Sequence, residues 1–299
     1  MAEGRIRIGD VELLALRDVE WIDWPHALGT VFPDVPPEAW EPYRRRYPSV
    51  FGGGDVWRLP IVCFLVRDGR RQVLVDTGCG PGSLPLPRRL GVEGRLVERL
   101  AAAGVRPADI DTVLLTHLHP DHVGAALAHG DGELRPTFPR ARYLVHRAEW
   151  EAWSRPEVRD AFPTQFFEQL VAPLERLGAL QLIEDEHPIA PAITAIHTPG
   201  HTPGSVSALI SSAGARAIVW GDAFVHPASV SEPGWRFLRD MDPEGAVATR
   251  RRLLERVVGE GMTVAAAHLP ECGLGRVDVL DGRRVWTALE VGPPARPRA

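Results

Sequence analysis

The 299-residue chain has no lysine and no asparagine, so every strongly basic side chain is an arginine. GC-rich coding produces that bias, so arginine content alone does not signal phosphate recognition. Cysteine is scarce. Cys63, Cys79 and Cys272 form no Cys-x-x-Cys pair, which argues against a disulfide framework and against a thiolate zinc finger. An excess of positive charge is missing too. The net charge of −5 is spread along the chain, which argues against nucleic acid as a partner. No apolar run is long enough to span a bilayer, and the opening MAEGRIRIGD has no basic stretch leading into an apolar one. The expectation is therefore a cytoplasmic protein without a membrane partner. Neither a Gly-x-Ser-x-Gly elbow nor a phosphate-binding P-loop occurs, so no serine nucleophile is expected. What the chain does have is 44% hydrophobic and 24% charged residues, enough for the core of one large α/β domain.

Residues 5–16 read as a hairpin turning at Gly9-Asp10. Residues 17–58 show no regular period and carry Trp21, Trp24, Trp40 and Trp57. So many indoles need a surface to pack on. Residues 1–58 are thus expected to form a hairpin and an arm, lying on the core, on a second copy in a homodimer, or over a pocket. A hydrolase-sized domain over 59–291 and a frayed tail over 292–299 complete the division. Within the domain, Ile61 to Val66 and Val73 to Val75 flank an Asp68-Gly69 turn. Residues 93–103 read as a helix with Leu96, Val97 and Leu100 on one face, and residues 157–177 as mostly helical. Asp242-Pro243 starts a helix running to about Val258, with the aspartate as cap. Short buried strands are expected at 111–116, 142–146, 215–220 and 263–267.

Chemistry concentrates in Thr116-His117-Leu118-His119-Pro120-Asp121-His122. Three imidazoles and a carboxylate lie within six residues, directly after a strand. These donors suit Zn²⁺ and similar borderline cations, and without a cation they would crowd one loop electrostatically. His117 and His119 share a direction in extended chain. His201 in a Pro/Gly-rich loop, Asp222 after the 215–220 strand and His268 after the 263–267 strand supply further donors. All sit at strand C-termini, where α/β folds place active sites. Seven donors exceed one tetrahedral ion, so two adjacent ions are expected.

This set, with Asp76-Thr77-Gly78, resembles the metallo-β-lactamase superfamily over roughly residues 60–290. The resemblance implies an α/β fold, an αββα sandwich with an irregular Trp-rich N-terminal arm. It further implies that His117, His119 and His201 hold one Zn²⁺, that Asp121, His122 and His268 hold the second, and that Asp222 bridges them. A water shared by the two ions would become a bridging hydroxide near neutral pH. Asp121 would be the catalytic residue that orients this nucleophile and shuttles its proton.

The stretches His197 to Gly204, Trp220-Gly221-Asp222 and Ala266 to Pro270 look like the lactonase and methyl-parathion-hydrolase-like branch. That likeness implies a small-molecule lactone, ester or phosphotriester substrate, expected to be neutral and partly apolar. Lactonases of this branch usually carry a tyrosine three residues after the bridging aspartate. Here Val225 stands there, so His226 or a tyrosine of the arm (Tyr43, Tyr47) would have to substitute. Val225, His226, Trp235 and Phe237 are the candidate pocket residues. Trp150, Trp153, Phe162 and Phe166 are further aromatics that could line it. Two other functions compete: a thioesterase resembling glyoxalase II, and a non-catalytic metal-binding scaffold. A flavin-partnered di-iron member would place glutamate where His119 stands.

Overall fold

The computed structural model describes residues 4–69, 71–130, 133–160 and 166–291. Period-two apolar patterning builds two seven-stranded sheets. The first takes β1 (Gly4–Ile8), β2 (Val11–Ala27), β3 (Val56–Asp68), β4 (Arg71–Val75) and β5 (Thr112–Leu114). A separate hairpin of β6 (Leu127–Gly130) and β7 (Glu133–Pro136) follows, and β8 (Arg142–His146) and β9 (Leu180–Ile183) finish the first sheet. The second sheet is β10 (His187–Ala190), β11 (Ile193–His197), β12 (Val206–Ser212), β13 (Ala215–Val219), β14 (Thr263–Ala265), β15 (Leu274–Leu280) and β16 (Arg283–Ala288), side by side in that order.

The sheets pack face to face. Phe64, Val66, Val75, Leu114 and Leu144 of the first meet Ala208, Ile210, Ala217, Val219 and Ala265 of the second, all buried. Each fully buried large side chain among them contributes about 1.5–3 kcal/mol. Helical segments cover the other face of the first sheet, where Leu96, Leu100, Trp153 and Leu174 pack on Leu74, Val113 and Val145. On the far side, helix Pro243–Gly259 lays Leu253, Leu254 and Val257 against Ile218 and Val264. Four layers result, helix–sheet–sheet–helix.

Parallel pairing decides where the chemistry goes. β4, β5 and β8 run parallel in one sheet, and β13 and β14 in the other. Their C-terminal ends deliver Asp76, Thr116-His117, Asp222 and His268 to one rim. Two backbone hydrogen bonds tie the sheets there: Val206 N donates to Thr116 O (2.8 Å) and Val62 N to Ala267 O (3.0 Å).

Several elements differ from the sequence reading. β2 continues through residues 17–27, which looked irregular because its pairing with β3 shifts register three times between Arg17 and Ala27. Each bulge flips the alternation that marks a strand. The segment between β2 and β3 then forms short helices, including Leu28–Val31 and Glu41–Arg46. Its Phe32 and Trp40, with Trp57 of β3, are buried among Trp220, Phe224 and Phe237 of the same chain. The expected helix at 93–103 narrows to Leu96–Ala102, with Leu96 and Leu100 buried and Val97 exposed. Positions i and i+4 share a face and i+1 does not. The 157–177 helix appears as Pro156–Asp160, Phe167–Val171 and Ala172–Arg176. Phe162 and the expected tail at 292–299 lie outside the described residues.

Candidate metal centre

Two buried groups of donor atoms lie side by side on the rim. In one, ligand atoms of His117, His119, His201 and Asp222 are all within 4.8 Å of one another; in the other, those of Asp121, His122 and His268 are. His119 Nδ1 lies 2.9 Å from His117 Nε2 and 3.0 Å from His201 Nε2. One ring nitrogen carries at most one proton, so three nitrogens converging on a point cannot all be satisfied by hydrogen bonds. A cation bound at about 2.0–2.1 Å satisfies all three. His122 Nε2 and His268 Nε2 face each other at 3.2 Å, with Asp121 Oδ2 at 3.9 and 3.5 Å from them.

Asp222 stands between the groups. Its Oδ2 is 3.8 Å from His117 Nε2 and 3.5 Å from His201 Nε2, while its Oδ1 is 3.3 Å from both His122 Nε2 and His268 Nε2. Oδ1 is buried and makes no hydrogen bond. An orphaned carboxylate oxygen in such a place costs several kcal/mol without a positive partner. Gly221 brings the aspartate here through a left-handed turn (φ +54°), and a Cβ on it would press on Thr116 at 3.0 Å.

The electrostatics ask for the same cations. Burial pushes His117 and His119 well below the ordinary imidazole value, so both are neutral, as ligands must be. Burial also works downward on His122 and His268, but the carboxylates, Asp222 foremost, outweigh it and raise both. Burial works upward on Asp222, yet His268 and His122 hold it well below the usual carboxylate range. Protons here stand where divalent ions would.

Four of the five rings are held at the opposite edge by a group that is not a donor to the cluster. His122 Nδ1 donates to Asp76 Oδ2 (2.8 Å), His201 Nδ1 to Asp240 Oδ1 (3.1 Å) and His268 Nδ1 to Pro60 O (2.9 Å). His117 Nδ1 donates to Thr116 Oγ1 (3.2 Å), which donates on to Asp76 Oδ2 (2.8 Å). Asp76 thus orients one ring of each group, from a left-handed backbone (φ +62°) that is strained for a residue with a side chain. Asp240 in turn pairs with Arg250 at 2.9 Å, both side chains 1% exposed. The buried Glu149 carboxylate accepts from Leu118 N (3.0 Å), Gly204 N (2.9 Å) and Trp153 Nε1 (2.7 Å), joining the His117–His122 loop to the His201 loop.

Above the donors opens a cleft of about 290 Å³. Trp24, Trp57, Leu59, Leu86, Val225 and Phe237 form its apolar walls, and Arg89 and Arg239 also line it. The structure therefore places Val225 and Phe237 on the wall, and Trp24 and Trp57 bring the N-terminal arm into it. His226 lies behind, fully buried against Trp40, Phe51 and Trp57, with Nδ1 accepting from Ala228 N. Burial pushes its pKa down to about 3, so it is neutral. Trp235 packs on Trp40 and Tyr43, away from the cleft. Trp150, Trp153 and Phe166 sit in the layer outside the first sheet. None of the tyrosines reaches the cleft: Tyr43, Tyr47 and Tyr143 donate to Glu232 Oε1, Trp286 O and Ala126 O. Sequence reasoning did not find Asp240, Arg250, Glu149 or Arg239. Each is separated in sequence from the donors it serves, and only the fold brings them together.

Known proteins are similar to this chain in sequence and in fold. An N-acyl homoserine lactonase of Bacillus sp. is 29% identical over 55% of this chain, and that match spans 63% of the lactonase's length. The N-acyl homoserine lactonase of Bacillus thuringiensis is 25% identical over 74% of this chain and 85% of its own. Among solved structures, the hydrolase AbOPH in the beta lactamase superfamily superposes with a TM-score of 0.81 at 27% identity, over 98% of this chain and 99% of that one. AidC, a dizinc quorum-quenching lactonase, reaches the same TM-score at 23% identity, over 97% and 98%. The model of the metallo-beta-lactamase superfamily matches residues 56–268, from the first residue of β3 to the last histidine of the cluster, and the chain belongs to that superfamily.

Proposed function

We propose that the protein is a dinuclear zinc hydrolase that opens small lactones or cleaves activated carboxylic esters. The observation carrying this reading is Asp222, whose two oxygens are divided between two buried sets of donors at the floor of a cleft. Two divalent ions held there would activate a water and polarise the carbonyl oxygen. The chain's own residues do the rest. Asp121, facing the cleft beside His268, takes a proton from the attacking water and returns it to the leaving oxygen as the acyl–oxygen bond breaks. Trp57, Leu59 and Phe237 hold the apolar part of the substrate and exclude bulk water. The absence of a tyrosine hydroxyl from the cleft favours aryl esters and simple lactones over acyl-homoserine lactones.

A kcat/KM panel tests this: a long-chain acyl-homoserine lactone, a simple lactone, an aryl ester, a phosphotriester and a cephalosporin. The aryl ester or simple lactone should be turned over at least as well as the acyl-homoserine lactone. Preference for the cephalosporin overturns the reading. In parallel, Asp222→Ala should lose metal and activity together, since one carboxylate serves both ions. Full metal content by elemental analysis in that variant would show that Asp222 does not bridge.

A further inference from the structure

Arg239 and Arg89 both line the cleft, one from the loop before Asp240 and the other from helix Pro85–Leu90. Neither guanidinium makes a hydrogen bond or an ion pair among the described residues, and Arg89 is exposed. Among the described residues, the carboxylates lining the cleft are Asp121 and Asp222, and both already belong to the donor cluster. Arg239 is half-buried, with its guanidinium 5.7 Å from the centre of the Trp24 ring. Its backbone is held too: Leu238 N donates to Val31 O (2.8 Å), and the next residue, Asp240, grips His201. Asp121 is the carboxylate whose field reaches Arg239, and it is committed to the donor cluster, so a long cation held against an indole keeps its own donors available to an incoming anion.

Resting on the hydrolase reading, we infer that the cleft selects substrates that carry a carboxylate away from the scissile bond, bound by Arg239 with help from Arg89. The apolar walls take the intervening carbons. Arginine's planar fork suits a carboxylate held by two parallel hydrogen bonds. This departs from the neutral substrate expected from sequence, which took no account of either arginine. It also makes Arg239 a specificity determinant rather than part of the bond-breaking machinery.

The probes are para-nitrophenyl hexanoate and the mono-para-nitrophenyl ester of adipic acid, matched in length and leaving group and differing in one terminal carboxylate. The metal-loaded full chain should favour the anionic ester in kcat/KM by at least about tenfold at low salt, mainly through KM. Arg239→Gln should abolish that preference, Arg239→Lys should keep part of it, and Arg89→Gln, on a separate element, should narrow it. Adipate alone, followed by calorimetric titration, should bind the wild type at least about tenfold more tightly than Arg239→Gln at equal metal content. Equal kcat/KM for the two esters, with adipate affinity unchanged by both glutamine variants, overturns the inference and leaves the hydrolase reading standing. Turnover of neither ester sinks the hydrolase reading instead, and the adipate titration still decides the role of the arginines.

Discussion

Replacing Asp240 with asparagine keeps the shape of the side chain and removes its charge, and two buried neighbours feel the loss. His201 Nδ1 donates to one carboxylate oxygen at 3.1 Å, and Arg250 donates to the other at 2.9 Å. The Arg250–Asp240 pair is 1% exposed on both sides. Removing one partner of a buried pair leaves a charge without an answer and costs about 3–5 kcal/mol. Against a total stability of about 5–15 kcal/mol, that is a large fraction. The histidine exchanges a carboxylate acceptor for at most a neutral amide oxygen, which strengthens it less as a ligand and lowers metal affinity by up to about 10–100-fold. A single variant mixes the two effects. Asp240→Asn combined with Arg250→Met separates them, because an apolar chain of similar length removes the stranded charge. Chemical denaturation of the metal-free protein should show the double variant recovering most of the lost stability. Competition with a chromophoric chelator should show its metal affinity still depressed. Wild-type affinity in the double variant would refute the reasoning, since Asp240 would then act only by neutralising Arg250.

Two further outcomes are expected. The buried Asp18 carboxyl accepts from Cys79 N and Leu96 N, yet burial outweighs these bonds and raises its pKa from 3.8 to about 6. A carboxyl that holds its proton more tightly when folded stabilises the fold at low pH and loses that contribution as pH rises through the folded value. Relative to Asp18→Asn, the wild type should therefore lose about 3 kcal/mol between about pH 4 and pH 7, and denaturation midpoints whose difference does not change with pH would contradict this. Val225→Tyr puts a hydroxyl on the cleft wall at a site only 2% exposed. Extra bulk should lower stability by about 1–3 kcal/mol, while a new donor to the developing charge, worth up to about 2.7–4 kcal/mol, should raise kcat/KM on acyl-homoserine lactones at least tenfold over the wild type. No gain there would mean that another group already fills this role.

The donor cluster was legible because it is local. Four of its seven residues fall between His117 and His122, strand endings marked Asp222 and His268, and a Pro/Gly-rich loop marked His201. The sheets were legible wherever a strand kept its period, as in Arg142–His146. The second half of β2 was not, because three bulges between Arg17 and Ala27 erase the alternation. The cleft walls were hardest to read. Aromatic content nominated Trp153, Trp235 and Phe237 alike, and whether each faces the cleft depends on packing between segments far apart in sequence. His226 shows the same limit. It follows Val225, but its ring turns into the aromatic cluster behind the wall. Arg239 was hidden for another reason: in a chain whose basic residues are all arginine nothing in the sequence sets one apart, and only the fold brings this one to the cleft wall.

Groups outside the donor cluster organise the rim, and the fold bears the cost. Asp76 holds a left-handed backbone, a strain of about 1–3 kcal/mol, and from there orients His122 directly and His117 through Thr116. Asp240 does the same for His201, anchored by Arg250, and a backbone carbonyl does it for His268. Glu149 locks together the two loops that carry His117 and His201. Four of the five donor rings are thus fixed in direction by residues that are not themselves donors. That division of labour explains why one catalytic rim draws on both sheets. Ligands arriving from β5, β13 and β14 converge only if the sandwich closes, so metal affinity should report the integrity of the sheet-to-sheet contact as well as the identity of the donors.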